Sequence, residues 1–479
     1  MRRIRSGTFV MVLVVSLGLM GAGAIEPADA PALVPLPEHV TFVHNGALER
    51  VLAGDDQATV LVDPAALPAE DPGFSAPLEV IAHWWAPDGT HVLVGVESTV
   101  TGARQLFICD QNGGSPVAVD AASGLFLERG GVAGELWDNP LPLWSPDGQS
   151  IALTVFDGDT PFGDIYVVGL DGTSELVGSG VEPAWSPDSA RIAYARVVPG
   201  VMSLAEARPY VTVGTLGGGT VDLGTGRSPV FSPDGTEVLY RTWTESDGDA
   251  GDSEQLAIAP AAGGAERRLT AYGPMDDMGG PSAIFDHRFS PDGSTVYYLL
   301  GRRSDSRYVY GVAADGSSAA PVGVSGLATE YTLSLDGSLL IYAGGGVYEA
   351  SFQTRQQIYA RNLASCAEWQ LTTGEIADFS CSNLSVSHQD RYVAFDAAIV
   401  PAGTLPGEAT TREVWVATLD GSHAWRCATD AWDAASQPLY GTSVTGDTGT
   451  SDDVAGNGFF EAIGDAIASF FEWLAGLFD

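Results

Sequence analysis

The sequence predicts an all-β protein, and three observations predict it. A short segment built on Ser-Pro-Asp-Gly recurs along the chain. Each clear copy precedes a run of alternating or continuous apolar residues, the pattern of a half-buried or buried strand. The 59 glycines and 28 prolines then supply the tight turns that many short strands require. At 479 residues and 45% hydrophobic, the chain can bury large cores.

The repeat fixes the order of the elements. Trp85-Ala86-Pro87-Asp88-Gly89 recurs as Trp144-Ser145-Pro146-Asp147-Gly148, Trp185-Ser186-Pro187-Asp188-Ser189, Phe231-Ser232-Pro233-Asp234-Gly235 and Phe289-Ser290-Pro291-Asp292-Gly293. Two degenerate copies follow, Leu333-Ser334-Leu335-Asp336-Gly337 and Val386-Ser387-His388-Gln389-Asp390. The steps between copies are 59, 41, 46, 58, 44 and 53 residues. Ser, Pro, Asp and Gly match the four positions of a type I turn, with proline pre-setting φ at the second. The aromatic before the turn ends one strand. The residues after it, such as His91–Gly95, Ser150–Thr154, Arg191–Ala195, Glu237–Tyr240 and Thr295–Tyr298, form the next. A second hairpin follows in each unit: Asp164–Val168 leads through Asp171-Gly172 to Glu175–Val177. Tyr308–Tyr310 before Asp315-Gly316 and Glu413–Val416 before Asp420-Gly421 repeat it. Four strands in each unit of roughly 40–60 residues, repeated around a ring, make a β-propeller blade.

The Trp/Phe-Ser-Pro-Asp-Gly turn, its following strand and the later hairpin resemble the TolB-type, WD-repeat-like propeller. The same blade is similar to those of prolyl-oligopeptidase-like proteins. The resemblance covers roughly residues 78–430 and implies a fold more than a function. The stretch before Leu78 is too short for the α/β domain that precedes the propeller in TolB, and no hydrolase domain follows the repeats. Seven repeats predict seven blades. Strand-like segments at 40–43, 49–53, 59–63 and 437–444 would close the ring within one blade or build an eighth, mixed one. The expected organisation is a signal peptide (1–24), an N-terminal segment with ring-closing strands (25–77), the propeller (78–444), a Gly-, Thr-, Ser- and Asp-rich linker (445–458) and a terminal helix (459–479).

Arg2, Arg3 and Arg5 precede an apolar run from Thr8 to Ala24 that ends in small residues, the pattern of an export signal. The expected location is therefore periplasmic, extracellular or cell-surface, with a retained membrane anchor as the alternative. Export is disulfide-permissive, and Cys366 and Cys381, flanking a turn-rich stretch, are the expected pair; Cys109 with Cys427 is the other pairing considered. All 22 basic residues are arginine, against 61 acids, for a formal charge of −39. Such a surface repels phosphate backbones, so no nucleic-acid partner is expected.

In the tail, Phe459, Phe460, Ile463, Ile467, Phe470, Phe471, Leu474 and Phe478 surround a narrow acidic stripe at 461, 465, 472 and 479. That pattern predicts an amphipathic helix. It would bind a protein partner or another copy of the chain, dock on the ring, or associate with a membrane, although its acids disfavour the last.

Recognisable catalytic motifs are missing. There is no Gly-x-Ser-x-Gly elbow, no lysine for a phosphate-binding loop and no His-Glu-x-x-His. No catalytic residue, metal or cofactor is assigned. Asp247, Asp249 and Asp252 have calcium-loop spacing, but the twelfth position is Ile258, so they are weak candidates. His83, His287 and His388, from different repeats, would be the ligands of any metal assembled across blades. The expectation is an exported, non-enzymatic scaffold that binds protein, peptide or glycan. The alternatives are a polysaccharide lyase or hydrolase with its site in the channel, and a regulatory module for a separate peptidase.

Overall fold

A computed structural model describes residues 39–436, apart from 53–56, 69–73, 75, 120–141, 157–162, 197–207, 244–252, 273–281, 303–305, 318, 322–327, 345–355, 373–378, 388 and 400–410. The expected signal peptide, the strand at 437–444, the calcium candidates Asp247, Asp249 and Asp252, His388, and the C-terminal helix lie outside the described residues. Among the described residues the one helical element is a 3-10 turn at Pro64–Ala66, capped by the Asp63 carboxylate, and no helix is long and apolar enough to cross a membrane.

Each repeat forms a four-stranded antiparallel blade whose strands follow in chain order. The first strands are Leu78–Trp85 (blade 1), Leu143–Trp144 (blade 2), Arg227–Phe231 (blade 4), Ser282–Phe289 (blade 5), Ala328–Leu333 (blade 6) and Phe379–Val386 (blade 7). Blades 2 and 3 are joined without a break. The strand Ser174–Trp185 pairs through its first half with Gly163–Gly169 and through its second half with Arg191–Arg196, so it ends one blade and opens the next. This passage requires glycine. A Cβ on Gly178 would lie 2.6 Å from the Tyr194 hydroxyl, and one on Gly180 would lie 2.6 Å from the Ala195 carbonyl oxygen. Gly224 and Gly226 make the same passage from blade 3 to blade 4, against Tyr240 and Arg241.

Among the described residues the structure has eight blades where seven repeats predict seven; the eight-blade alternative holds. His39–His44, Ala47–Leu52 and Thr59–Val62 form one sheet with Ala431–Ser436, which pairs antiparallel with His39–His44. The closing strand thus precedes the expected segment 437–444. The physical reason lies in the two faces of the N-terminal strands. Val40, Phe42 and Val51 pack against Tyr392, Val414 and Val416 of blade 7, while Val43, Leu48 and Val62 pack against Val80, Val92 and Phe107 of blade 1. A sheet with two apolar faces needs a neighbour on each side, so it fills a gap in the ring.

Eight apolar clusters occupy the eight junctions, one between each pair of successive blades. Because both faces of a blade are covered, its second strand reads as a continuous apolar run; Tyr392–Ala397 is buried throughout. Each large side chain buried this way contributes about 1.5–3 kcal/mol. First strands of successive blades lie side by side, as Ser174–Trp185 does with Arg227–Phe231 and Ala328–Leu333 with Phe379–Val386, so these strands line the centre of the ring.

Candidate functional site

The turn motif sits between the first and second strands of each repeat, which places all seven copies at one end of the ring. In the clear copies the glycine N–H donates to the carbonyl three residues earlier, at 2.9 Å for Gly148 and Ser145 and 2.8 Å for Gly235 and Ser232. Gly89, Gly148, Gly235, Gly293 and Gly337 all have φ between 67 and 72°. Asp147, Asp234, Asp292 and Asp336 each accept from the motif serine hydroxyl and from the amide two residues on, and Asp188 does the same with Ser186 and Ala190. Asp88 accepts from the Thr90 amide. The serine hydroxyls hold Asp188, Asp234, Asp292 and Asp336 below the usual carboxylate range. Neighbouring turns touch. A Cβ on Gly337 would come within 2.9 Å of Pro291, Asp147 N–H donates to the Ser189 hydroxyl at 3.1 Å, and Asp390 accepts from Leu335 N–H at 2.7 Å. Gly235, Gly293 and Gly148 approach Pro187, Pro233 and Asp88 in the same way, so Pro87 and Pro146 belong to turns of the same set.

The aromatic that precedes the turn ties its blade to the one before. Trp144 Nε1 donates to Trp84 O at 2.9 Å, Trp185 Nε1 to Leu143 O at 3.0 Å, and Trp85 Nε1 to Thr41 Oγ1 at 2.9 Å. Blades 4 and 5 carry phenylalanine here and have no such N–H.

Three residues before that position, the inner strands of blades 3 to 7 carry a row of polar residues: Glu182, Ser228, Asp286, Glu330 and Asn383. The strand registers shift around each, as β-bulges. Four adopt left-handed backbone: Glu182 (φ 56°), Ser228 (49°), Asp286 (38°) and Asn383 (58°). Such strain in non-glycine residues persists where surrounding contacts over-determine it, and it concentrates at functional sites.

Those contacts run from blade to blade. Ser228 N–H donates to Glu182 Oε2 at 2.6 Å. Glu254 accepts from Ile284 N–H at 2.6 Å and from Arg227 Nη2 at 2.6 Å. Arg241, 1% exposed, reaches Ile284 O and Ser228 Oγ, both at 2.6 Å, and lies 3.7 Å from Glu254. Tyr331 donates to Asp286 O at 2.6 Å, and Arg288 pairs with Asp286 while lying over the Tyr331 ring. Leu384 N–H donates to Glu330 at 2.9 Å, Cys381 N–H to Gln356 at 2.6 Å and Ala434 N–H to Asp396 at 2.8 Å, while Asn383 Nδ2 donates to Asp396 at 2.6 Å.

Burial sets the electrostatics of this wall. It pushes the carboxyls of Glu182 and Glu330 up, with Arg227 and the Ser228 amide opposing at the first and the Leu384 amide at the second. Burial, then the Arg241 charge, lowers His287 to about 3, so this histidine is neutral; its Nε2 lies 2.7 Å from Ser228 O. Burial also lowers Arg241, against the pull of Glu254. Buried acids with a raised proton affinity are the groups from which general acid chemistry is built.

The histidines are engaged locally. His83 is buried with Nε2 2.8 Å from Thr41 Oγ1, and His287 belongs to the blade 4–5 network. Among the described residues no three His, Cys, Asp or Glu side chains converge on a metal position. The expected Cys366–Cys381 bridge is not formed. Cys366 lies exposed in the turn between Gln357–Asn362 and Glu368–Gln370, whereas Cys381 is buried on the inner strand of blade 7. Cys109 and Cys427 are not bridged either. Sequence reading passed over Glu182, Arg241, Glu254, Glu330 and Asp396. The available signals were a polar residue three before the turn aromatic and a lone arginine inside the strand Glu237–Trp243.

No family model matches the chain. Among solved structures, it is similar to a prolyl endopeptidase at 13% identity and TM-score 0.50, covering 74% of this chain and 50% of that one. TolB from Acinetobacter baumannii aligns at 17% identity and TM-score 0.35, over 74% of this chain and 66% of that one. An oligogalacturonate lyase from Vibrio parahaemolyticus aligns at 13% and 0.49, over 80% and 97%. At these identities the likeness is one of fold, a β-propeller.

Proposed function

We propose that the chain is an exported, non-enzymatic propeller scaffold whose loop faces, or C-terminal helix, bind a protein, peptide or glycan. One observation carries the reading: Glu182 and Glu330 on inner strands, Glu254 on the third strand of blade 4 and Asp396 on the second strand of blade 7 each accept a backbone N–H of the following blade, contacts that hold the ring rigid. A rigid ring with variable loops is a platform for recognition. Export rests on the basic and apolar N-terminus. The test is affinity purification of the mature protein from its native host, with and without residues 446–479. A partner lost on truncation assigns docking to the tail, and one retained assigns it to the ring. A co-eluting peptidase would favour the regulatory-module reading. Recovery of the protein alone in both preparations would count against the scaffold.

A second reading, a polysaccharide lyase or hydrolase acting in the channel, is favoured by Glu182 and Glu330, two carboxyls with raised proton affinity on the inner strands. Cleavage of an acidic or neutral oligosaccharide by the wild type, abolished in Glu182→Gln or Glu330→Gln while the ring stays folded, would establish it. No cleavage across such a panel would remove it.

A further inference from the structure

The outermost strand of a propeller blade has an open edge, whose N–H and C=O groups can template another strand. Five blades shield that edge with the hairpin of the next blade. A Cβ on Gly113 of blade 1 would lie 1.8 Å from Leu61 O on the outer strand of blade 8. One on Gly172 of blade 2 would lie 2.6 Å from Ala118 O of blade 1, and one on Gly421 of blade 7 2.8 Å from Gln370 O of blade 6. Gly263 and Gly316 stand against Val221 of blade 3 and Arg268 of blade 4 in the same way. Side chains reinforce the closure: Arg267 Nη2 donates to Ala314 O at 3.0 Å and Trp369 Nε1 to Leu419 O at 2.9 Å.

Blade 2 departs from this. Among the described residues its outer strand, the first half of Ser174–Trp185, pairs on one side only, with Gly163–Gly169. In blade 3 the glycine that closes the hairpin is Gly218, whose N–H donates to Thr215 O. The atoms nearest a Cβ there belong to Thr215 of its own hairpin, and a Cβ on Gly217 or Gly219 would find nothing within 4 Å. Val177 packs toward Leu216, while Ser174, Glu175 and Leu176 stay exposed, Leu176 to 53%. From Leu143 to Ser179 the chain carries six acids and no arginine or histidine, whereas every other blade holds an arginine.

We propose that this edge receives an extended segment of a partner protein, bearing arginine or lysine, which adds a fifth strand to blade 2. Successive side chains of a strand point to opposite faces, so Glu175 and Leu176 stand on opposite sides of the edge. A strand alternating basic and apolar residues sets a cation beside Glu175 and an apolar side chain beside Leu176, and its backbone takes up the open hydrogen-bonding groups. A second copy of this chain fits poorly, because it would bring the acids of the blade against their own kind. The edge lies outside the loop faces and terminal helix of the scaffold reading, so the proposal stands whichever reading of the ring holds.

The probe is a synthetic peptide of alternating arginine and valine, titrated into the full chain. An alternating glutamate–valine peptide and an arginine–valine peptide N-methylated at alternate residues serve as comparisons. The unmodified arginine–valine peptide should bind, slow amide exchange at residues 174–177, and lose affinity about tenfold in Glu175→Arg. Glu175 is exposed, so the variant should unfold at the wild-type temperature. The two comparison peptides should not protect the edge. No binding of the arginine–valine peptide overturns the proposal. Equal binding of the N-methylated peptide, or binding unaffected by Glu175→Arg, assigns the attraction to bulk charge and overturns it as well. Protection of 174–177 that rises with protein concentration in the absence of peptide would give the edge to a second copy instead.

Discussion

Blades 1 to 3 and blades 4 to 7 solve the same joining problem with different chemistry. In the first arc, tryptophan closes each inner strand, and its indole N–H reaches back to the preceding blade: Trp85 to Thr41, Trp144 to Trp84, Trp185 to Leu143. In the second arc the equivalent residues are Phe231, Phe289, Leu333 and Val386, which have no donor. There the ties are carboxylates, Arg241 and the Tyr331 hydroxyl, drawn from positions nearer the ring centre. A neutral tie is cheap to bury and insensitive to pH. A charged one is costly to bury and holds only while all its members are present.

The largest expected effect is therefore in the second arc. Arg241→Met removes the cation that joins Ser228, Ile284 and Glu254, and should destabilise the ring by ~3–5 kcal/mol, read as a fall in the denaturant midpoint. A loss no greater than that of an ordinary surface substitution would mean the network is incidental. In the first arc, Trp144→Phe keeps most of the packing and removes one N–H, so a loss of about 1–2 kcal/mol is expected, similar for Trp185→Phe. If either tryptophan variant costs as much as Arg241→Met, the contrast between the arcs fails.

The smallest effect concerns pH, and it sets the ring centre against the turn end. Glu182 is raised by burial, so its contribution is complete in acid and is lost as pH rises through its folded-state value. The turn aspartates Asp188, Asp234, Asp292 and Asp336 are lowered by their serine hydroxyls. Their contribution is present above the ordinary carboxylate range and is lost as pH falls through the lowered values. Stability should peak in mild acid. Glu182→Gln should flatten the alkaline side of a melting-temperature profile, and Asp234→Asn the strongly acid side. A profile unchanged by both would show that neither set of groups couples to folding.

The turn motif was legible because its chemistry is contained in five consecutive residues: proline, glycine and the Asp side chain settle the conformation before any other blade is present. The Gly-x-Gly passages at 178–180 and 224–226 were equally local but were overlooked, since their purpose appears only when Tyr194 and Tyr240 of the second strands lie beneath them. The inner-strand acids were not legible. Glu182 meets Ser228 across 46 residues, and Glu330 meets Leu384 across 54. The disulfide expectation failed for the same reason: short separation along the chain does not bring a turn at the sheet's outer side to its inner strand.

The sequence alone therefore determined the blade, its turn and the number of repeats, because each is set by propensities and apolar periodicity within one unit. Tertiary structure alone decided the eighth blade, which pairs His39–His44 with Ala431–Ser436 from the far end of the chain, and the polar wall at the centre. Both depend on contacts between units, and such contacts form only when the ring closes and buries the second face of every sheet.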